Sequence, residues 1–268
     1  MKLSTILATS LTLLLSTPAV LSIPTVLPTP TLHLIGDSTC AGSSGVLKGW
    51  GQYLSAYFSP DKLTINNACK GGRSSRTYIT EGHLAAVVDA IRPGEVVLFA
   101  FGHNDQSPLT DASRSRGVIR GFGAQFEDTI NGVTHKPERV YTYGHYLTKI
   151  IAAVKSKGGI PVPMSQTLRK KFNNGKILRG DNWSSWASTV AKKQNTAYLD
   201  PRQIAADALD RMGEAKAAAL YPLDSTHMGE VGAVLHAEAV VKAIKCVGLK
   251  PLVNALSVKG RAVPRAAS

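Results

Sequence analysis

Apolar and polar positions along this chain separate into short apolar runs and longer amphipathic stretches. The runs at 31–36 and 95–101 are too short for helices and read as buried strands, and Leu63-Thr64-Ile65-Asn66 reads as a strand between them. A further run, Ile160-Pro161-Val162-Pro163-Met164, carries two prolines that cannot donate to a ladder, which predicts a weakened or edge strand. Residues 196–199 make a last short strand. Helices are expected at 50–58, 82–91, 139–155, 183–194 and 204–220, the second of them stopped by Arg92-Pro93-Gly94. The closing helix has the plainest pattern: Val231, Val234, Ala237, Val241 and Ile244 recur at three- and four-residue spacings and end near Gly248.

Two stretches lack such a pattern. Residues 105–137 have no sustained period, carry Arg114, Arg116 and Arg120, and read as a long loop of the kind that is functional or mobile. Residues 249–268 read as a loosely attached basic tail. Strands alternating with helices predict one α/β domain over 23–248 with a mainly parallel sheet, and in such sheets ligands bind beyond the carboxyl ends of the strands.

The amino-terminal segment changes the setting. Lys2, the apolar run 6–15 and the small residues near Val20-Leu21-Ser22 have the form of a signal peptide over residues 1–22, so a secreted protein is expected. Its removal takes away Lys2 alone, leaving 30 of the 31 basic side chains against 18 acidic ones, a net +12 in place of +13. That balance attracts polyanions. For a secreted chain the expected partner is an acidic polysaccharide rather than nucleic acid or a membrane, although a basic solvated surface accounts for the charge equally well. Cys40, Cys69 and Cys246 are an odd set in a compartment where bridges persist. Cys40 and Cys69 meet if the ends of the first two strands lie side by side. Asn182-Trp183-Ser184 is a glycosylation acceptor, and Arg169-Lys170-Lys171 with Lys176 and Arg179 reads as a solvated basic loop.

Candidate chemistry collects at the strand ends. Ser38 follows the first strand in Gly36-Asp37-Ser38, Gly72 follows the second, and Asn104 follows the third in Gly102-His103-Asn104-Asp105. Asp224-Ser225-Thr226-His227 stands at the mouth of the closing helix. A serine nucleophile needs a base, and the base needs a carboxylate to fix its tautomer, which His227 and Asp224 supply. The N–H groups of Ser38 and Gly72 with the Asn104 amide make a three-donor oxyanion hole. The Gly-x-Ser-x-Gly elbow is absent, because Cys40 stands where its second glycine belongs. His33, His83, His103, His135, His145 and His236 show no metal-ligand spacing.

These four blocks, in this order, resemble those of the SGNH, or GDSL-type, hydrolases. Gly49-Trp50-Gly51, Gly72-Arg73-Ser74-Ser75-Arg76 and Ser165-Gln166-Thr167 make the chain most similar to the fungal rhamnogalacturonan acetylesterases over roughly 31–248. The resemblance implies a three-layer α/β/α fold with a five-stranded parallel sheet, no metal or organic cofactor, and removal of acetyl groups from an acidic pectic polysaccharide; a monomer is expected, although the sequence itself does not set the number of subunits. It also implies the roles: Ser38 as nucleophile, His227 as base, Asp224 orienting it, and Ser38, Gly72 and Asn104 holding the oxyanion. Arg73 and Arg76 are either contacts to an acidic sugar or structural arginines paired with carboxylates. The alternatives are an esterase of another acetylated polysaccharide such as xylan, a lipase or arylesterase, and an inactive carbohydrate-binding protein.

Overall fold

The computed structural model describes residues 28–265; the expected signal peptide, residues 1–22, lies outside them, as do 23–27 of the lead-in and 266–268 at the end. The elements run β1 (Thr31–Gly36), a 3₁₀ helix (Trp50–Tyr57), β2 (Thr64–Asn67), α1 (Ser75–Thr80), α2 (His83–Ala90), β3 (Val96–Ala100), β4 (Phe126–Ile130) and β5 (Pro137–Tyr141). They continue with α3 (Tyr143–Ser156), β6 (Ile160–Pro163), the two-residue strands β7 (Phe172–Asn173) and β8 (Lys176–Ile177), and α4 (Asn182–Lys193). Helices α5 (Pro201–Met212), α6 (Glu214–Ala219), α7 (Glu230–Val247), α8 (Lys250–Val253) and α9 (Val258–Ala262) complete the chain.

The central sheet is parallel, in the order β2-β1-β3-β6. Successive side chains of a strand point to opposite faces, so the apolar runs feed two layers. Leu32, Leu34, Val96, Leu98 and Val162 pack with Trp50, Leu54 and the Val240, Val241 and Ile244 side of α7. Ile35, Val97 and Phe99 pack with Leu147, Ile150, Ile151 and Val154 of α3 on the other face. The result is the expected three-layer α/β/α arrangement. No helix among the described residues is long and apolar enough to cross a membrane.

The prolines of β6 explain the shape of the sheet's edge. Ile160 N–H donates to Glu95 O and Met164 N–H to Phe99 O, both at 2.8 Å, so the non-proline positions face β3. Pro161 and Pro163 face outward, where they can only accept: Pro161 O accepts from Thr196 Oγ1 and Pro163 O from Leu199 N–H. An outer strand deprived of donors shrinks to the single parallel bridge Met164–Leu199, which is all that remains of the strand expected at 196–199.

Four expectations are corrected. The stretch 105–137 contains β4, which pairs antiparallel with β5; Arg139 bonds both carboxylate oxygens of Asp128 at 2.8 and 2.9 Å across this hairpin. Because 137–141 is strand, α3 begins only at Tyr143, capped by Thr142. The helix expected over 204–220 breaks at Gly213, whose φ of +83° a helix cannot accommodate. The basic tail is part of the fold over its described length: Leu252, Ala255, Leu256 and Val263 are buried against the 3₁₀ helix and α7, and Ser257 N–H donates to Tyr57 O.

Cys40 and Cys69 are joined by a disulfide, with their Cα atoms 5.7 Å apart. In the chain-entropy model, a loop of this length contributes about 3–4 kcal/mol. The bridge ties the segment after β1 to the segment after β2, just behind the rim where the site is built.

Candidate active site

Because every strand of the sheet is parallel, the segments after Gly36, Asn67 and Ala100 all emerge on one rim. After β1 the chain turns at once. Asp37 is buried, and its Oδ1 accepts from the N–H and Oγ1–H of Thr39 at 2.9 and 2.7 Å. This turn leaves Ser38 half-buried at its apex. Across the rim, Gly229 precedes α7, and the segment before it brings Asp224 and His227 over Ser38.

The three side chains form a relay. Ser38 Oγ stands 2.7 Å from His227 Nε2, and His227 Nδ1 stands 2.7 Å from Asp224 Oδ2. The other Asp224 oxygen accepts from the N–H groups of Thr226 and His227 at 2.6 and 2.7 Å, so the carboxylate is fixed from both sides. Burial would raise the Asp224 carboxyl, but these bonds from His227 and Thr226 win and hold it at about 2. It is therefore ionised at neutral pH. A cavity of about 270 Å³ opens on Ser38 and His227, walled by Ala41, Gly42, Ser43, Leu47 and Gly71.

Of the expected oxyanion donors, Ser38 lines this cavity, Gly72 follows its wall residue Gly71, and Asn104 is tied to the next residue, Arg73. Among the described residues, neither the Ser38 N–H nor the Gly72 N–H has a hydrogen-bond partner. Gly71 lies against Ser38, a Cβ built on it falling 3.8 Å from that of Ser38. Gly72 adopts a φ of +73°, a conformation that favours glycine, and a Cβ there would meet only the movable tip of Arg114, 1.7 Å away. Asn104 Nδ2–H donates to Arg73 O at 3.1 Å, which fastens its amide to the glycine turn. Asn104 Oδ1 accepts from Arg116 Nη1–H at 3.3 Å, and Arg116 is itself held by Asp111 at 2.9 Å. Arg116, which the sequence analysis placed only in a loop, thus decides which edge of that amide carries donors toward the rim.

Asp105 joins two of the loops. Its Oδ1 accepts from the N–H and Oγ–H of Ser75 at 2.9 and 2.5 Å, and its Oδ2 accepts from Gly102 N–H at 2.9 Å. Burial pushes this carboxyl up to about 7, against the Ser75 and Gly102 bonds, and the nearby Asp37 adds to the rise. The native state therefore keeps a proton that the unfolded chain releases near pH 4. Stability from this group is full below pH ~4 and is lost as pH rises through ~7. Glu95 is held at about 2 and acts in the opposite sense, as does Asp224: burial raises both, and hydrogen bonds overcome it, so their contributions fade as pH falls below ~4. Burial holds His103 and His236 low, so they act against Asp105 over the same range and lose stability as pH falls below ~6.5. The Asp105 share is read by difference: the thermal midpoint of Asp105→Asn relative to the wild type is expected to be higher at pH 8 than at pH 5, and an offset that does not change with pH would remove Asp105 as a buried, proton-holding group.

Of the two arginines considered for sugar contact, Arg76 is corrected to a structural role. It is completely buried, and its guanidinium bonds both oxygens of Glu138 and the Gly117 carbonyl. Arg73 is partly exposed, but its Nε–H donates to Glu81 at 2.7 Å and its Nη1–H to Gly71 O at 3.0 Å, beside a different cavity. The cation the sequence analysis passed over is Arg169. It donates to Thr226 Oγ1 and, at 3.5 Å, to His103 O, the residues immediately before His227 and Asn104. Its signal was the basic run 169–171 following Ser165-Gln166-Thr167. His103 is buried, with Nε2 2.9 Å from Thr167 Oγ1; burial, then Arg169, Arg202 and His227, push it well below the usual histidine range. Among the described residues no group of three or more His, Cys, Asp and Glu side chains is placed to hold a metal ion.

Comparison with known proteins gives concordant findings. The model of the GDSL-like lipase/acylhydrolase family matches residues 34–235. A rhamnogalacturonan acetylesterase of Emericella nidulans is 31% identical over 221 residues, covering 82% of this chain and 86% of its own length. A probable rhamnogalacturonan acetylesterase of Bacillus subtilis is 29% identical, over 84% of this chain and 96% of its own. Among solved structures, YxiM of Bacillus subtilis superposes with a TM-score of 0.69 at 21% identity, covering 84% of this chain and 58% of that longer one. An acetylxylan esterase of Geobacillus stearothermophilus superposes with a TM-score of 0.55 at 17% identity, covering 83% and 96%. At such identities the structural likeness speaks for the fold.

Proposed function

The chain belongs to the GDSL-like lipase/acylhydrolase family and is a carbohydrate esterase; from that premise we propose that it is a secreted serine esterase that removes acetyl groups from rhamnogalacturonan. The observation that carries the mechanism is the Ser38–His227–Asp224 relay, with both contacts at 2.7 Å. The substrate reading is supported by relatives named for it. Secretion is supported by the form of residues 1–22 and by the Cys40–Cys69 bridge, which suits an oxidising compartment.

The reaction runs as follows. His227 Nε2 accepts the proton of Ser38 Oγ–H as that oxygen attacks the acetyl carbonyl, while Asp224 keeps the second ring proton on Nδ1. Carbonyl oxygen charge is met by the N–H groups of Ser38 and Gly72 and by the Asn104 amide. His227 then gives its proton to the departing sugar hydroxyl. Water, deprotonated by His227, attacks the acetyl-enzyme, releases acetate and restores Ser38.

Asn104→Ala is expected to lower kcat by about 10² to 10³, the loss usual for one oxyanion donor. A loss below threefold in a folded variant would take Asn104 out of the hole. The test of the whole reading is acetate release from acetylated rhamnogalacturonan, run beside acetylated xylan and an aryl acetate. Release confined to xylan or the aryl ester would keep the serine mechanism and discard the pectic substrate.

A further inference from the structure

A second cavity, apart from the one on Ser38, is larger than it. It has a volume of about 570 Å³, within the range of small-ligand sites, roughly 300–1,000 Å³, and Arg120, Arg169, Lys171, Arg202, Gln106 and Asp181 contribute to its wall. Its charge is not balanced by the protein. Arg202 is neutralised by Asp181 at 2.9 Å and is otherwise spent on the carbonyls of Gln166, Thr167 and Arg179. Arg120, Arg169 and Lys171 have no carboxylate partner among the described residues; Arg169 bonds only neutral oxygens, and the other two are exposed. Two exposed cations without a carboxylate partner, beside an Arg169 that bonds only neutral oxygens and feels Asp37 and Asp224 at longer range, make this concave surface a site for an anion.

The cavity is coupled to the active site through its inner wall. Arg169 bonds Thr226 and the His103 carbonyl, and Gln106 Nε2–H donates to that same carbonyl at 3.0 Å. The wall residues Arg169 and Gln106 thus hold the residues that precede His227 and Asn104, which sets the cavity on the side of the active site that a neighbouring sugar can reach. Guanidinium forks match carboxylate geometry, and a lysine adds a point charge at the mouth.

We propose that this cavity is a subsite for the carboxylate of a uronic acid residue flanking the acetylated sugar, with Arg169 as its inner contact and Arg120 and Lys171 as its outer ones. The inference rests on the reading of the protein as an acetylesterase of an acidic polysaccharide. It makes the cavity, rather than Arg73 or Arg76, the source of preference for an acidic chain.

Two measurements test it. The first compares kcat/KM for an acetylated uronic-acid oligosaccharide, its carboxyl-reduced counterpart and an aryl acetate, in the wild type and in Arg120→Gln/Lys171→Gln. The wild type should prefer the acidic over the reduced oligosaccharide about tenfold or more, and the double variant should lose most of that preference, as should the wild type in high salt. Equal rates on the two oligosaccharides, or an unchanged preference in the variant, would overturn the subsite while leaving the esterase intact. The second is calorimetric binding of an unacetylated oligogalacturonate, which does not depend on turnover. Binding weakened about tenfold in the double variant supports the subsite even if the wild type cleaves none of the acetyl esters, a result that would sink the esterase reading alone. No binding to the wild type overturns the subsite.

Discussion

Replacing Ser38 by alanine is expected to lower acetyl-ester turnover by roughly 10⁴- to 10⁶-fold without unfolding the protein. The size follows from what is lost: the hydroxyl placed 2.7 Å from His227 Nε2, and with it the covalent route that divides acetyl transfer into two easier steps. The small effect on stability follows from position. Ser38 is half-buried on the rim, its hydroxyl bonds a side chain that water also reaches, and the apolar layers on either side of the sheet are untouched. His227→Ala should cost about as much, and the double variant little more than either, because nucleophile and base act as one unit. Residual activity would come from the oxyanion donors and from binding. Turnover of an aryl acetate, read beside the thermal midpoint, checks both halves. A folded Ser38→Ala variant retaining more than a hundredth of wild-type activity would move the nucleophile elsewhere.

What could be read from the chain and what could not divide along physical lines. A strand buried on both faces has to be apolar at nearly every position, so β1 and β3 announce themselves. Catalysis needs fixed residue types just past strand ends and at the mouth of one helix, which is why Ser38, Asp224 and His227 stand out before any coordinates. The β4–β5 hairpin did not, because it lies on the surface: Phe126 and Ile130 are exposed, and its stability comes from ladder bonds and pairs such as Asp128–Arg139. The carboxyl-terminal segment did carry a signal, in Leu252, Leu256 and Val263, but its helices are too short to establish a period. Arg169 and Arg116 were illegible for another reason. An arginine's role is set by what its long side chain reaches, and Thr226 lies 57 residues from Arg169.

Arg76 is the strongest case of such hidden pairing, and it carries the second large prediction. Arg76→Met is expected to destabilise the fold by about 3–5 kcal/mol, the cost of stripping one partner from a buried ion pair. The side chain has no exposed surface, and it ties α1, directly behind the glycine turn, to Glu138 on β5 and to the Gly117 carbonyl. Burial raises the Glu138 carboxyl, and the bonds from Arg76 and Asn131 bring it below the ordinary range. Without Arg76 that charge keeps only Asn131, and the Gly117 carbonyl loses its donor. Removing both charges should be far milder: Arg76→Met/Glu138→Met leaves no stranded ion, and most of the lost stability should return. Urea unfolding of the wild type, the single and the double variant measures this directly. A structural arginine predicts that folded Arg76→Met keeps the wild-type ratio of kcat/KM between acidic and neutral acetyl esters. A stability loss under 1 kcal/mol, with that ratio falling instead, would return Arg76 to the substrate.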